Sequence, residues 1–303
     1  MRYWLSSPEK MKNFIRFESH CILAGWVFGT LNFIFLCCVV GLFFFLVFES
    51  YPIIKLQGLA FWLGRDWWVG ETYGALPMLY GSILATSLAC FLVLPIALAA
   101  AIFTSEYLPT LYRRYVKAIL ELLAGVPGII YGLLGVSFLS LWIKDVFGLL
   151  DGNTLATAGC LLAIMILPTV LTLSEDAMRA VPSEYRENAL GLGLTRWQTS
   201  ISVVFPQALP GIMGAVLLGI GRAMGETIAV MLVVGGLDHI PEPWFNIFSS
   251  AQTIPSKLGR EAAEAIGEGM HWSALMALGL TLFLMVLFIT FAGNRFLKRG
   301  RVK

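Results

Sequence analysis

Residues 211–236 read GIMGAVLLGIGRAMGETIAVMLVVGG, and only Arg222 and Glu226 in this stretch are charged. It exceeds the roughly 20 apolar residues that a helix needs to cross a bilayer. A charge at the bilayer centre costs about 2.5–3.5 kcal/mol on insertion scales, so such residues face a bundle interior or a watery cavity. At i, i+4 spacing Arg222 and Glu226 share a helix face and are expected to pair with each other. Gly221 and Gly225 have the small-xxx-small spacing of close helix packing. Two readings follow: a buried ion pair that only fixes packing, or an oxyanion contact. In the second, the planar guanidinium fork meets an anion, with Thr227 adding a hydroxyl.

The rest of the chain supports a membrane setting. Of its 303 residues, 58% are hydrophobic and 13% charged, with a mean hydropathy of +0.79. A soluble chain carries about a quarter charged residues, so much of this surface faces lipid. Six segments are apolar enough to span: roughly 21–48, 78–103, 123–143, 155–174, 211–236 and 272–293. The first is too long for a cleavable signal core, ends in Glu49-Ser50-Tyr51-Pro52 and is read as a retained helix. Lys and Arg number about 15 on one side (the amino terminus, loops 104–122 and 175–210, and the carboxyl tail) against about 5 on the other. By the positive-inside rule both termini are cytoplasmic. Trp67, Trp68, Trp244 and Trp272 fall at segment ends on the outer side, where indole rings favour the headgroup zone. His239 and His271, in the outer loop, are expected to be solvated. The net charge of +2 gives no reason to invoke nucleic acid.

Chemistry-bearing motifs are absent from the sequence. Cys21, Cys37, Cys38, Cys90 and Cys160 sit in apolar runs without metal-ligand spacing and read as small hydrophobes. There is no Walker lysine motif and no nucleophile elbow, so no catalytic residue, metal or cofactor is assigned. ATP, if used, is hydrolysed by another chain. Between Glu175 and Pro210, Pro182-Ser183-Glu184 reads as a helix start with Ser183 a candidate cap. The run to Gly193 then gives two to three turns.

That loop carries a resemblance. Glu187-Asn188-Ala189, three residues, Gly193, nine residues, Val203, one residue, Phe205-Pro206 resembles the EAA signature of ABC-importer permeases. The signature reads Glu-Ala-Ala, three residues, Gly, nine residues, Ile, one residue, Leu-Pro. Arg222-Ala223-Met224-Gly225-Glu226-Thr227 is similar to the Arg-Ala-x-Gly-Glu-Thr element of phosphate-importer permeases. Tyr73-Gly74-Ala75-Leu76-Pro77, with Tyr80-Gly81 and Thr86-Ser87, is similar to the family's entry to its second helix. Ala124-Gly125-Val126-Pro127-Gly128-Ile129-Ile130-Tyr131-Gly132 resembles its Gly-Ile-Pro-Ser-Val-Val-Tyr-Gly element, with Gly128 where serine is usual. Of the two permease families of that system, PstC and PstA, the flanks Gly219-Ile220-Gly221 and Ile228-Ala229-Val230-Met231 resemble PstC.

The resemblance implies an all-α membrane protein with the type I ABC importer permease fold in a bacterial or archaeal inner membrane. Residues 1–72 would hold the amino-terminal segment, first helix and outer loop. The permease core would span 73–303, with a coupling helix at about 183–198. It implies Arg222, Glu226, Thr227, Gly225, Pro127 and Gly128 along the substrate pathway, and Glu187, Ala189, Gly193 and Pro206 in ATPase coupling. It also implies partners: a second homologous permease, ATP-binding subunits, an external phosphate-binding protein, phosphate and membrane lipid. Because Glu226 would neutralise Arg222, the partner permease is expected to supply further positive charge. Pro127 suits the start of a half-helix whose positive dipole end faces the pathway, or a simple kink. The rival readings are a sulfate or molybdate ABC permease and an ion-coupled carrier, which the coupling loop argues against.

Overall fold

The computed structural model describes residues 8–300, with side chains for 26–295. The cations Arg2, Lys10, Lys12 and Arg16, the thiol of Cys21 and the cations beyond Arg295 lie outside the described side chains. The helices are α1 (Pro8–Gln57), α2 (Ala60–Leu63), α3 (Leu76–Ile102), α4 (Thr110–Ala124), α5 (Gly128–Leu134), α6 (Leu141–Phe147) and α7 (Leu155–Arg179). They continue as α8 (Ser183–Gly191), α9 (Arg196–Thr199), α10 (Phe205–Gly225), α11 (Ile228–Val233), α12 (Ile254–Ala265) and α13 (Gly269–Gly300). Wider π-turns continue α3 to Tyr107, join α5 to α6 and join α9 to α10. One small antiparallel hairpin pairs β1 (Trp67–Trp68) with β2 (Thr72–Tyr73).

Among the described residues, six helices are long and apolar enough to cross a bilayer: Trp26–Gln57, Leu76–Tyr107, Gly128–Phe147, Leu155–Arg179, Arg196–Gly225 and Gly269–Arg295. The number agrees with the hydropathy reading, while several boundaries move. The first helix does not end at Glu49-Ser50-Tyr51-Pro52 but runs on to Gln57. Pro52 deletes one amide donor there without ending the helix. Loop 104–122 is largely the helix α4, and the third span begins after Pro127 instead of at 123. Ser183 is the first helical residue of α8 and caps nothing; Pro182 holds the cap position. Two compact units are distinguished, one ending at Glu49 and the other starting at Ser50.

Within the second unit α7 is the central helix, with much of its surface buried. Lipid tails are as apolar as Leu, so helices here gain by close van der Waals approach between small residues. α3 accordingly presents Ala85, Ala89, Ala97 and Ala101, all fully buried. On α7, a β-carbon at Gly159 would stand 2.6 Å from Leu88 Cδ2. α10 meets α7 through Gly211 and Gly219, where added β-carbons would come within 2.5 Å of Ala177 and 2.6 Å of Val170. Gly221 and Gly225, expected to make such contacts, have nothing within 4 Å of an added β-carbon. The close-packed face is set instead by glycines eight residues apart, a little over two turns.

The region taken as outer loops closes over a second core. Lys257 on α12 is fully buried and bonds to both Asp238 and Glu261, with Nζ 4.9 Å from the centre of the Trp67 ring. His271 is buried rather than solvated: Nε2 lies 3.0 Å from Glu261 and Nδ1 3.3 Å from Glu268, and its ring stacks on Tyr73. Trp67 is also buried, so this indole serves the core and not the headgroup zone, while Trp68, Trp244 and His239 are exposed. Burial raises the Asp238 carboxyl above the ordinary aspartate range, and Lys257 only partly offsets this. The native state therefore keeps that proton longer than the unfolded chain, and stability falls as pH rises through the interval between the two values.

Removing one partner of a buried ion pair strands the other charge, at a cost of about 3–5 kcal/mol. Lys257→Met is thus expected to lower the denaturation midpoint of the purified protein sharply. Adding Asp238→Asn should recover part of the loss; an unchanged midpoint in Lys257→Met would mean that the cluster does not hold this second core.

Candidate functional site

The site forms where the fifth span stops being a helix. α10 ends at Gly225; Glu226 is extended, at φ −71° and ψ 119°; Thr227 turns the chain, and α11 restarts at Ile228. Residues 211–236 are therefore two helices, not one. Irregular backbone at membrane depth is tolerated where protein or a water-filled cavity satisfies it. The break also separates the two charges, so the expected Arg222–Glu226 pair does not form. An i, i+4 contact needs a continuous helix between its partners, and the helix ends one residue before Glu226.

Arg222 turns to its neighbours instead. Nη1 donates to Thr169 Oγ1 on α7 at 3.1 Å, and Nη2 donates to the carbonyl of Ala124 at the end of α4, also at 3.1 Å. Both acceptors are neutral, and among the described residues no carboxylate makes an ion pair with Arg222. These bonds use two of the five guanidinium donors and hold the cation in place. The expectation that Glu226 neutralises this charge is corrected by the same geometry.

Glu226 is engaged by helix starts. Its Oε1 accepts from the Ala229 amide at 3.4 Å, capping α11 from within the break. The same oxygen would be 2.6 Å from a β-carbon at Gly128, the first residue of α5. The carboxylate thus lies against the beginnings of two helices, whose partial positive ends favour it. The glycine standing where serine is usual gives Glu226 this room. Pro127 directly precedes α5, so a helix does start where the proline suggested. Thr227 Oγ1 bonds back to the Gly225 carbonyl at 3.3 Å, and its methyl faces Gly259 on α12. Gly225 is exposed at the end of α10. The break brings Arg222, Gly225, Glu226 and Thr227 together with Gly128. Beside it a small cavity is lined by Ser82, Thr86, Met224, Glu226 and Thr253.

The other predicted residues lie at the Lys- and Arg-rich end of the bundle. On α8, Glu187 is exposed and Ala189 buried; Gly193 then turns the chain at φ +87°, a left-handed conformation that favours glycine. Pro206 is exposed in the first turn of α10. Sequence reasoning missed the residue that holds α8 in place. Arg186 makes a two-pronged contact with Glu106, through Nε at 3.0 Å and Nη2 at 2.8 Å. It also donates to the carbonyls of Val181 and Met178, which joins α8 to the ends of the second and fourth spans. The available signal was an arginine directly before the signature glutamate. Thr169 and the Ala124 carbonyl, far away in sequence, had no local signal.

The family described as binding-protein-dependent transport system inner membrane component matches residues 93–301. The phosphate transport system permease protein PstC of Pasteurella multocida is 39% identical over 79% of this chain and 80% of its own. A probable ABC transporter permease protein of Bacillus subtilis, YqgH, is 35% identical over 85% and 82%. Among solved structures, a bacterial ABC transporter involved in the import of the acidic polysaccharide alginate is similar at TM-score 0.58, with 16% identity over 95% of this chain and 99% of that one. An inward-facing MetNI methionine ABC transporter gives TM-score 0.56, with 18% identity over 75% and 94%. At those identities the solved structures bear on the fold.

A methyl at position 128 cannot coexist with the present Glu226 rotamer. Gly128→Ala should push the carboxylate aside and release the Ala229 amide. Loss of about 1 kcal/mol of hydrogen bonding corresponds to roughly fivefold faster hydrogen exchange in the first turn of α11. Exchange equal to that of the parent would show that the carboxylate does not cap this helix.

Proposed function

The chain belongs to the binding-protein-dependent transport system inner membrane component family, and on that premise we propose how it works as the PstC-type permease subunit of an ATP-driven inorganic phosphate importer. It is a multi-pass protein of the cytoplasmic membrane and a transport subunit rather than an enzyme. Relatives named as PstC at 39% and 35% identity favour phosphate over another oxyanion. One observation carries the reading of the site: Arg222 is fixed at a helix break, bonded only to neutral groups, with donors to spare. Hydrogen phosphate offers several oxygens to such a fork. Bonds to a carbonyl and a hydroxyl orient the guanidinium without discharging it, whereas an ion pair would have competed with the substrate.

The Lys- and Arg-rich end, with both termini, faces the cytoplasm. The permease core occupies 73–303, and α8 with the turn to α9 forms the coupling element at about 183–198. Its exposed Glu187 meets the ATP-binding subunit, while Arg186 carries movement of α8 to Glu106 on the second span. A homologous permease of the PstA type completes the pathway, PstB-type subunits hydrolyse ATP, and an external PstS-type protein delivers phosphate. A dianion facing one arginine is incompletely balanced, so the partner permease adds positive charge. Binding at this site is weak, because tight binding would stall release.

Glu226 has a separate task. Its Oε2 accepts the hydroxyl of hydrogen phosphate, a proton that sulfate lacks at neutral pH. Losing hydrogen bonds to a charged group costs about 1.5–3 kcal/mol. Arg222→Ala should therefore cut uptake of labelled phosphate about ten- to hundredfold in a complex that still co-purifies intact, with Arg222→Lys intermediate. Unimpaired uptake in Arg222→Ala would remove this residue from the pathway. Glu226→Gln should let sulfate compete when the permease is assayed with the binding protein's own selectivity bypassed; continued sulfate exclusion would refute that role.

A further inference from the structure

Arg222 marks one end of an arrangement that continues toward the cytoplasmic side. It touches Ala124 at the end of α4 and Thr169 on α7. Seven residues along each helix stand Lys117 and Asp176, which are themselves ion-paired. At 1.5 Å per residue, both steps come to about 10 Å. α4 and α7 are thus tied twice, and the second tie borders a cavity of about 330 Å³ lined by Thr110, Arg113, Arg114, Lys117, Glu121 and Arg179.

The cations around this cavity are organised. Arg113 donates to the carbonyls of Thr104, Ser105 and Leu108 at 2.8–2.9 Å, which fixes it at the turn between α3 and α4. Glu175, 3% exposed, lies among Arg113, Lys117 and Arg179 at 3.7–3.9 Å. Its Oε1 has no hydrogen-bond partner. The buried carboxylate therefore gathers three cations without tying up their donors. Arg114 is exposed beside them. Four cations face Glu121, Glu175 and Asp176, leaving one net positive charge. Such a balance holds an anion briefly, as a release step requires.

We propose that this cavity is a second anion site, which receives inorganic phosphate leaving Arg222 and passes it to the cytoplasm. The proposal rests on the phosphate-permease reading and adds a stop that the reading does not contain. The same phosphate chemistry is present in acidic lipid headgroups, which basic residues at the cytoplasmic surface attract, so the test must separate the two.

Ala118 lines the cavity and is exposed. The complete importer carrying Ala118→Cys would be placed in nanodiscs of neutral lipid, and separately in discs with anionic lipid. The labelling rate with a negatively charged thiol reagent is then read, with the parent complex setting the background. Millimolar inorganic phosphate should slow labelling about threefold in both lipids, beyond chloride of equal ionic strength. Adding Arg114→Gln should abolish this protection, while Arg114→Lys should retain part of it, as expected for a charge-dependent contact. Slowing by anionic lipid, with no further effect of phosphate, would assign the cavity to headgroups and overturn the proposal. ATP-driven phosphate uptake is measured on the same preparations. Uptake without phosphate protection would overturn the exit site alone, whereas ATP-driven uptake of sulfate in place of phosphate would overturn the reading beneath it.

Discussion

A positive charge within a membrane span must be solvated by the protein, and this requirement organises the centre of the molecule. The Arg222 guanidinium is satisfied by one backbone carbonyl and one hydroxyl, on two helices other than its own. Those bonds join α10 to the end of α4 and to α7. The carbonyl is available because α4 stops at Ala124, where Gly125, Val126 and Pro127 interrupt the helix. Residues that read as irregularities in a hydropathy profile are thus the ones that accommodate the charge.

The same economy shapes the break beside it. Ending α10 at Gly225 frees carbonyls and amides that lipid could not satisfy. Thr227 returns one hydrogen bond to the Gly225 carbonyl, and Glu226 meets the Ala229 amide. The two charged side chains, four residues apart in sequence, serve different neighbours and form no ion pair with each other. A site of this kind can offer donors to an anion and an acceptor to a hydroxyl group. Around α12 the chemistry differs: Lys257 bonds to Asp238 and Glu261, and His271 to Glu261, beside Trp67 and Tyr73. That cluster is internally paired and structural, whereas Arg222 is not paired.

Much of this was legible in the sequence. Spans show themselves because crossing lipid requires some 20 apolar residues in a row, and each of the six expected segments overlaps one of the six spanning helices found among the described residues. A short polar helix between the fourth and fifth spans was legible from its start signal, and α8 begins at Ser183 within the expected interval. The pairing of Arg222 with Glu226 was misread because periodicity assumes a continuous helix, and nothing local announces that Gly225 ends one. The burial of Trp67 and His271 was missed because β1 and the start of α13 are far apart in sequence and meet only in the fold. Gly221 and Gly225 had the right spacing on the wrong face; Gly211 and Gly219 make the contacts. Local patterns gave elements and side chains, while partners 53 and 98 residues away gave the site its electrostatics.

The most direct test of the account is transport by the complete assembly in sealed vesicles, with binding protein outside, ATP inside and no ion gradient. Labelled phosphate should enter only when ATP is hydrolysed, and should continue to enter when proton and sodium gradients are collapsed. Uptake that ignores ATP and follows an imposed proton or sodium gradient would contradict the account at its centre.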